Sequence, residues 1–356
     1  MRRILILAPA ACVLLLAPAL AGEFERQFQT DARALVLRNL IGQVRVTETG
    51  GDRYEIHVHV RGDDASEDLI RVSLDEGREA ELLVEFPVDE HRDYVYPELG
   101  RRSKTTIYQP DGDQDRSWLS RLWNSLGGEK VTIRGSGKGL EVWADVELRV
   151  PSGRETEVYL GAGGIASEGV DGDLVLDTHS GGVSVDGHRG ELVCDTGSGG
   201  VSIADVDGPV LADTGSGSVK VTGQRGGPLK VDTGSGSVSI DGADTPDLFV
   251  DTGSGGVRCR AIETDTARID TGSGSVALHL DRMGTGRFVI DTGSGGVELT
   301  LPRDASATIS VDTGSGGISS EFEGAEILHE DRGEMKLRVG GGAATVVIDT
   351  GSGGVK

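Results

Sequence analysis

The sequence predicts an all-β protein built as a parallel β-solenoid, and three observations lead there. Glycine fills 56 of 356 positions while 37% of the chain is apolar and only 4% aromatic. That balance suits many short strands between glycine turns and is too apolar for a disordered chain. One phrase, D-T-G-S-G-[GS]-[VI], recurs with its aspartate at Asp177, Asp195, Asp213, Asp232, Asp251, Asp270, Asp291, Asp312 and Asp349, His179 replacing glycine in the first copy. Around each copy apolar residues alternate with polar ones at the strand period of two. A unit of 18–21 residues cannot bury its own apolar face, so it must stack on the next, strand upon like strand, about 4.8 Å apart.

The elements follow in chain order. Met1-Arg2-Arg3, an apolar run from Ile4 to Leu20 broken by Pro9 and Pro18, and the exit Ala19-Leu20-Ala21 predict a secretory signal peptide over residues 1–21. The product is then expected in the periplasm, at the cell surface or secreted. No later apolar stretch is long enough to span a bilayer. Residues 22–86, with period-2 runs at Tyr54–Val60 and Leu82–Phe86, read as irregular opening β-coils. Residues 87–138 form a charged insertion bearing Pro87, Pro97 and Pro110 and then a short amphipathic helix, 117–126, with Trp118, Leu119, Leu122, Trp123 and Leu126 on one face. Residues 139–356 are the regular solenoid. Treating Asp331-Arg332-Gly333-Glu334 as a worn copy predicts ten rungs, a rod of about 43 Å at the strand spacing.

Counting from the motif aspartate as zero, positions −3, −1, +6 and +8 are apolar and face inward (Leu229, Val231, Val238 and Ile240 in one unit). Alternation also turns Thr at +1 and Ser at +3 inward, predicting hydroxyls that bond along the rod. Glycines at +2 and +4 are expected to supply positive φ at the corner, with a second turn near +10 at Gly187, Gly223 and Gly242. Cys194 and Cys259 fall in inward columns of different strands, about 14 Å apart axially at the rung spacing, too far to bridge. They read as small buried hydrophobes.

Three outward features carry the functional expectations. The aspartate column places like charges about 5 Å apart, a repulsion of roughly 1–3 kcal/mol per neighbour at effective dielectrics of 80 to 20. Either each carboxylate accepts a backbone N–H of its own corner, at +2 or +3, or calcium bridges the rungs. Beside it, position −2 holds Val175, Val193, Leu211, Phe249, Val289 and Val347, interrupted by Lys230, Arg268 and Ser310. That apolar stripe, with Trp118, Leu122 and Trp123, is a candidate interaction surface. The third feature is His57 and His59, two apart on one strand, which have no third ligand nearby in sequence and read as a solvated strand face.

The formal charge of −23 repels phosphate backbones, so nucleic acid is not an expected partner. Phe249-Val250-Asp251-Thr252-Gly253-Ser254 resembles the active-site phrase of aspartic proteases. Their chemistry needs two carboxylates sharing a proton across one cleft, which tandem copies at coil spacing do not build. Some carbohydrate-cleaving enzymes are β-helices, but singular carboxylates and sugar-stacking aromatics are sparse in the repeats. The order Ser/His/Asp, a phosphate loop and cysteine-pair metal spacing are all missing.

Leu35-Val-Leu-Arg-Asn-Leu-Ile-Gly-Gln-Val-Arg-Val46, Val146-Glu-Leu-Arg-Val-Pro-Ser152 and the Gly-Asp-Leu-x-x-Asp-Thr-x-Ser-Gly-x-Val units resemble a family of exported bacterial proteins with β-strand repeats, domain of unknown function 4097, labelled as adhesins. The resemblance implies a parallel β-solenoid and, by its label, a surface or adhesive role; separately, the coil is expected to wind right-handed. It carries no catalytic residues. The function expected is a non-enzymatic cell-envelope scaffold or adhesin-like binding module with no cofactor and an envelope protein or glycan as partner. The alternatives are a calcium-stabilised rod and, third, a carbohydrate-active enzyme. Because Gly354-Val355-Lys356 falls mid-coil, an open last rung is expected to self-associate end to end.

Overall fold

The computed structural model describes residues 22–108, 130–322 and 324–356. The signal-peptide reading and the 117–126 helix, with Trp118, Leu122 and Trp123, lie outside the described residues. Among the described residues there is no α-helix, only the short 3-10 turn Pro97–Leu99.

A single rung shows how the pattern becomes structure. In Leu229–Thr233 the residues Leu229, Val231 and Thr233 are buried while Lys230 is exposed and Asp232 half-buried. Past the glycine corner, Val238 and Ile240 are buried again and Ser239 is exposed. Burying each aliphatic side chain is worth about 1.5–3 kcal/mol, and such sets from successive rungs line one continuous core.

The rungs form two parallel stacks. In the first, Leu174 pairs with Leu192, Leu192 with Val210 and Val210 with Leu229, so that each motif aspartate lies beside the next. In the second, Val183, Val201, Val219 and Val238 align in the same way. Between the stacks the +10 position bends into positive φ, at Gly187, Gly223 and Gly242 as expected and also at Asp205 (φ 53°) and Ala261 (φ 50°). The opening segment joins this register: Ala34–Ile41 and Val44–Thr49 pair in parallel with Glu155–Ala162 and Ile165–Asp171.

Both ends depart from expectation. The segment 22–86 is a coil plus antiparallel edges, not a run of coils. Phe24–Thr30 pairs antiparallel with Tyr54–Arg61, which pairs antiparallel with Trp143–Pro151. Arg71–Asp75 likewise flanks Glu79–Glu85. Three strands of the insertion, Asp93–Val95, Lys104–Tyr108 and Lys130–Arg134, join Leu140–Glu141 just beyond it in a separate sheet of four strands.

At the other end, Asp331–Glu334 is not a worn rung. It is the tight turn of an antiparallel hairpin, Glu326–Asp331 with Glu334–Val339, and the second of these strands runs antiparallel to Ala307–Thr313. The last strand, Ala344–Thr350, slots between Arg287–Thr292 and Ala307–Thr313. The motif rungs therefore number nine, in the spatial order 291, 349, 312 at this end, spanning about 38 Å. The expectation of an open final coil is corrected too: Val355 bridges Val297 and Ile318, and the hairpin forms the edge.

Candidate interaction surface

The corner that follows each aspartate is held by threonine and glycine in roles that alternation alone did not reveal. Thr at +1 is buried in every copy. From Thr214 onward its hydroxyl accepts the N–H of its own +4 glycine and donates to the +4 carbonyl of the preceding rung. Thr252 Oγ1 does both, at 3.1 Å from Gly255 N and 3.0 Å from Gly236 O, and Thr233, Thr271 and Thr292 repeat it. The predicted ladder of stacked hydroxyls is thus a clamp from threonine to backbone. Ser at +3 does not take part: Ser216, Ser235, Ser254 and Ser273 are exposed, because the chain leaves the strand after Thr and alternation stops.

The corner glycines are not required for positive φ either. From Gly197 onward none of those at +2 and +4 falls in the left-handed region. They are required because glycine stacks on glycine. A Cβ on Gly217 would lie 1.6 Å from Gly199 O, and one on Gly236 1.7 Å from Gly217 O. The +2 N–H is also committed along the rod, Gly215 N to Thr196 O at 3.0 Å and Gly234 N to Thr214 O at 3.1 Å. It therefore does not cap the aspartate of its own corner, contrary to that expectation.

The nine aspartates do form one outward column, in the order Asp177, Asp195, Asp213, Asp232, Asp251, Asp270, Asp291, Asp349 and Asp312. Partial burial, and then the neighbouring carboxylates, push Asp195, Asp251 and Asp291 above the ordinary aspartate range. The opposing charge comes from the neighbouring column: Arg268 pairs with Asp270 at 3.5 Å, and Lys230 and Arg268 both draw Asp251 back down. The basic residues that interrupt the −2 stripe thus offset the aspartate repulsion.

The stripe is aligned as predicted. Val175, Val193, Leu211, Phe249, Val289 and Val347 are each half-buried on the same outward face. Lys230 lies over the Phe249 ring, 5.4 Å from its centroid, which makes the stripe continuous across that interruption. Toward the start of the rod the same two columns continue as Glu157 and Tyr159, then Val36 and Arg38. The small sheet packs beside them, on the corner at Gly161 and His179. Ile107 reaches the backbone of Gly161, and Tyr96 accepts a hydrogen bond from Gln43 at 2.9 Å and packs on Trp143. His179, the one non-glycine in the motif, lies within hydrogen-bond reach of the Thr106 backbone, and burial lowers its pKa. The aspartate column begins at the rung of His179, beside this sheet.

Cys194 and Cys259 are buried and free, and burial pushes the Cys259 thiol up to about 12. Among the described residues, the side chains of the repeated phrase are therefore columnar: carboxylates at zero, mostly apolar groups at −2, and mostly polar residues at +7 beside a shallow groove along Gly182, Ser184, Gly200 and Ser202. The aspartates of the D-T-G-S phrase face outward along a line and do not converge as a dyad.

This geometry defines an all-β, mostly parallel, β-solenoid-like coil stack with repeating outward surfaces. The chain belongs to the Toastrack DUF4097 family, whose model matches residues 33–356. Among solved structures, it is similar to a crystal structure of a "putative cell adhesion protein" from Clostridium sporogenes, at 12% identity over 94% of this chain and 97% of that one, with a TM-score of 0.22. No curated protein matches.

Proposed function

We propose that the protein is a non-enzymatic, exported scaffold or adhesin-like binding module whose working surface is the outward face of the first stack. The observation that carries this reading is the in-register pairing of an acidic column over nine rungs with a neighbouring column that is apolar and half-buried at six of them. Such a strip recognises an extended or repetitive partner, an envelope protein or glycan, better than a small molecule, because each rung repeats its neighbour's contacts. Coils of 18–21 residues wound right-handed belong to the same reading. Cosedimentation of the chain with cell-envelope fractions of the producing organism tests it. Replacing Val193, Leu211 and Phe249 by Ser should abolish cosedimentation and leave the melting profile in place; undiminished cosedimentation overturns the proposal.

The aspartate alignment favours a second reading, calcium held between rungs. Three successive carboxylates cannot converge at about 4.8 Å per rung, so an ion would draw on two at a time and take its remaining oxygens from water. A melt in millimolar calcium against chelator separates the readings, since an ion bound only to the folded rod raises its melting point. Self-association is proposed through the outer strand Glu326–Asp331, where Ile327 and Leu328 are exposed. A monomer at high concentration by sedimentation would remove it.

A further inference from the structure

We propose that Glu25, His57 and His59 form a binding site for a late first-row divalent metal ion of the zinc class, separate from the aspartate column. His57 and His59 lie on one face of Tyr54–Arg61, since strand side chains alternate. The third ligand is remote in sequence: the edge strand Phe24–Thr30 runs antiparallel and sets Glu25 directly opposite His59. The Glu25 carboxylate then meets both rings, Oε2 at 3.1 Å from His57 Nε2 and Oε1 at 3.2 Å from His59 Nδ1.

The three residues are already drawn together by these pairwise contacts, close to the spacing a coordination shell requires. Ligands bound at 2.0–2.1 Å in a tetrahedron stand about 3.3 Å apart. One ligand atom from each of the three residues lies within 4.8 Å of the others, and this is the one such group among the described residues. The two imidazoles are drawn together, ring centroids 3.9 Å apart, with His59 Nε2 at 3.1 Å from His57 Nδ1. The surroundings suit a cation. On the other side of the histidine strand the register sets Asp145 opposite His59 and Glu147 opposite His57. Asp145 is held by the Gln43 N–H at 2.9 Å and by Arg61 at 3.4 Å, so it contributes field rather than a ligand. Gln27, at 3.4 Å from His57 Nε2, completes the rim.

Two imidazoles and one carboxylate are donors that select zinc-like ions over calcium. Three protein ligands on an exposed face leave the fourth position to water or to a donor from outside. Each ligand residue is at least one-fifth exposed, at 50%, 28% and 20% for Glu25, His57 and His59, so the ion has a direct path in.

The test is titration of the full chain with zinc in competition with a chromophoric chelator. A single equivalent should bind, calcium should not displace it, and the ring resonances of His57 and His59 should shift while those of His91, His188 and His279 stay. His57→Ala and His59→Ala should remove the equivalent, and Glu25→Gln should weaken it by about tenfold or more, each with an unchanged metal-free melt because the side chains face outward. Unaltered binding by the double histidine variant, zinc shifts at other histidines in the unmodified chain, or no binding at all would each overturn the proposal.

Discussion

The rod from Leu174 onward and the region before it are made of the same strands but yield different surfaces. In the rod, parallel stacking sets like beside like, so Asp195 faces Asp213 and Val193 faces Leu211. The side chains of the repeated phrase therefore form columns. In the opening region antiparallel edges set unlike residues opposite one another, Glu25 with His59 and Asp145 with His59. There one carboxylate meets two imidazoles, a mixed set of donors drawn from two strands. Parallel repetition multiplies a surface, whereas an antiparallel edge can assemble a site.

The sharpest way to break the contrast is through backbone clearance. Gly217→Ala should cost about 3–5 kcal/mol or prevent folding, since its Cβ would enter the carbonyl of Gly199. Gly50→Ala, in the opening region with nothing within 4 Å, should change stability by less than about 0.5 kcal/mol. Denaturant melts of the two variants compare them directly.

Next comes the buried cation of the opening. Arg38, 3% exposed, is held by Glu81 and lies over the Tyr159 ring at 5.0 Å. Glu81→Ala should cost about 1–3 kcal/mol, below the figure for a fully buried pair because Glu81 is half-exposed. Restoration by Arg38→Met in the same chain would show that the loss was an uncompensated charge.

Thr252→Val should cost about 1–2 kcal/mol by stripping the partners of Gly255 N–H and Gly236 O. Thr252→Ser should recover most of it. A Ser variant as unstable as the Val variant would mean that the methyl, not the hydroxyl, matters.

The smallest effect concerns charge. Asp251 is raised by burial first and by Asp232 and Asp270 after it. A raised folded value favours the protonated form, so its contribution is fully present below the unfolded value near 3.8 and is lost as pH rises through the higher folded one. Asp251→Asn should therefore stabilise the rod at neutral pH by less than about 1 kcal/mol after solvent screening. The gain should vanish as pH falls toward the carboxylate range, and melts across pH with and without salt measure it.

The repeat, the inward columns, the outward aspartates and the apolar stripe were all legible in the sequence because each rests on a period. The coil at Leu35–Val46 was legible by its likeness to the template. What escaped depends on how non-adjacent segments meet. Glycine-on-glycine contact and the threonine clamp are relations between rungs, and alternation describes one strand at a time. Glu25 lies 32 residues from His57, so no local spacing could mark it. The worn copy at Asp331 misled because a hairpin turn and a solenoid corner both favour Asp and Gly. His179 was the one irregularity that did signal tertiary structure, since the small sheet approaches at that copy.

The interposed strand Ala344–Thr350 has a consequence for assembly. Its neighbours, Arg287–Thr292 and Ala307–Thr313, precede it in the chain, so the rod cannot be laid down rung by rung to its end. Ala307–Thr313 has no parallel partner until the strand some forty residues later arrives. During synthesis that segment must either wait, held by the Glu326–Val339 hairpin, or rest provisionally on the 287–292 rung and then make room. Closing the rod is therefore a late insertion step, and the end of the molecule is expected to be its slowest part to reach the native register.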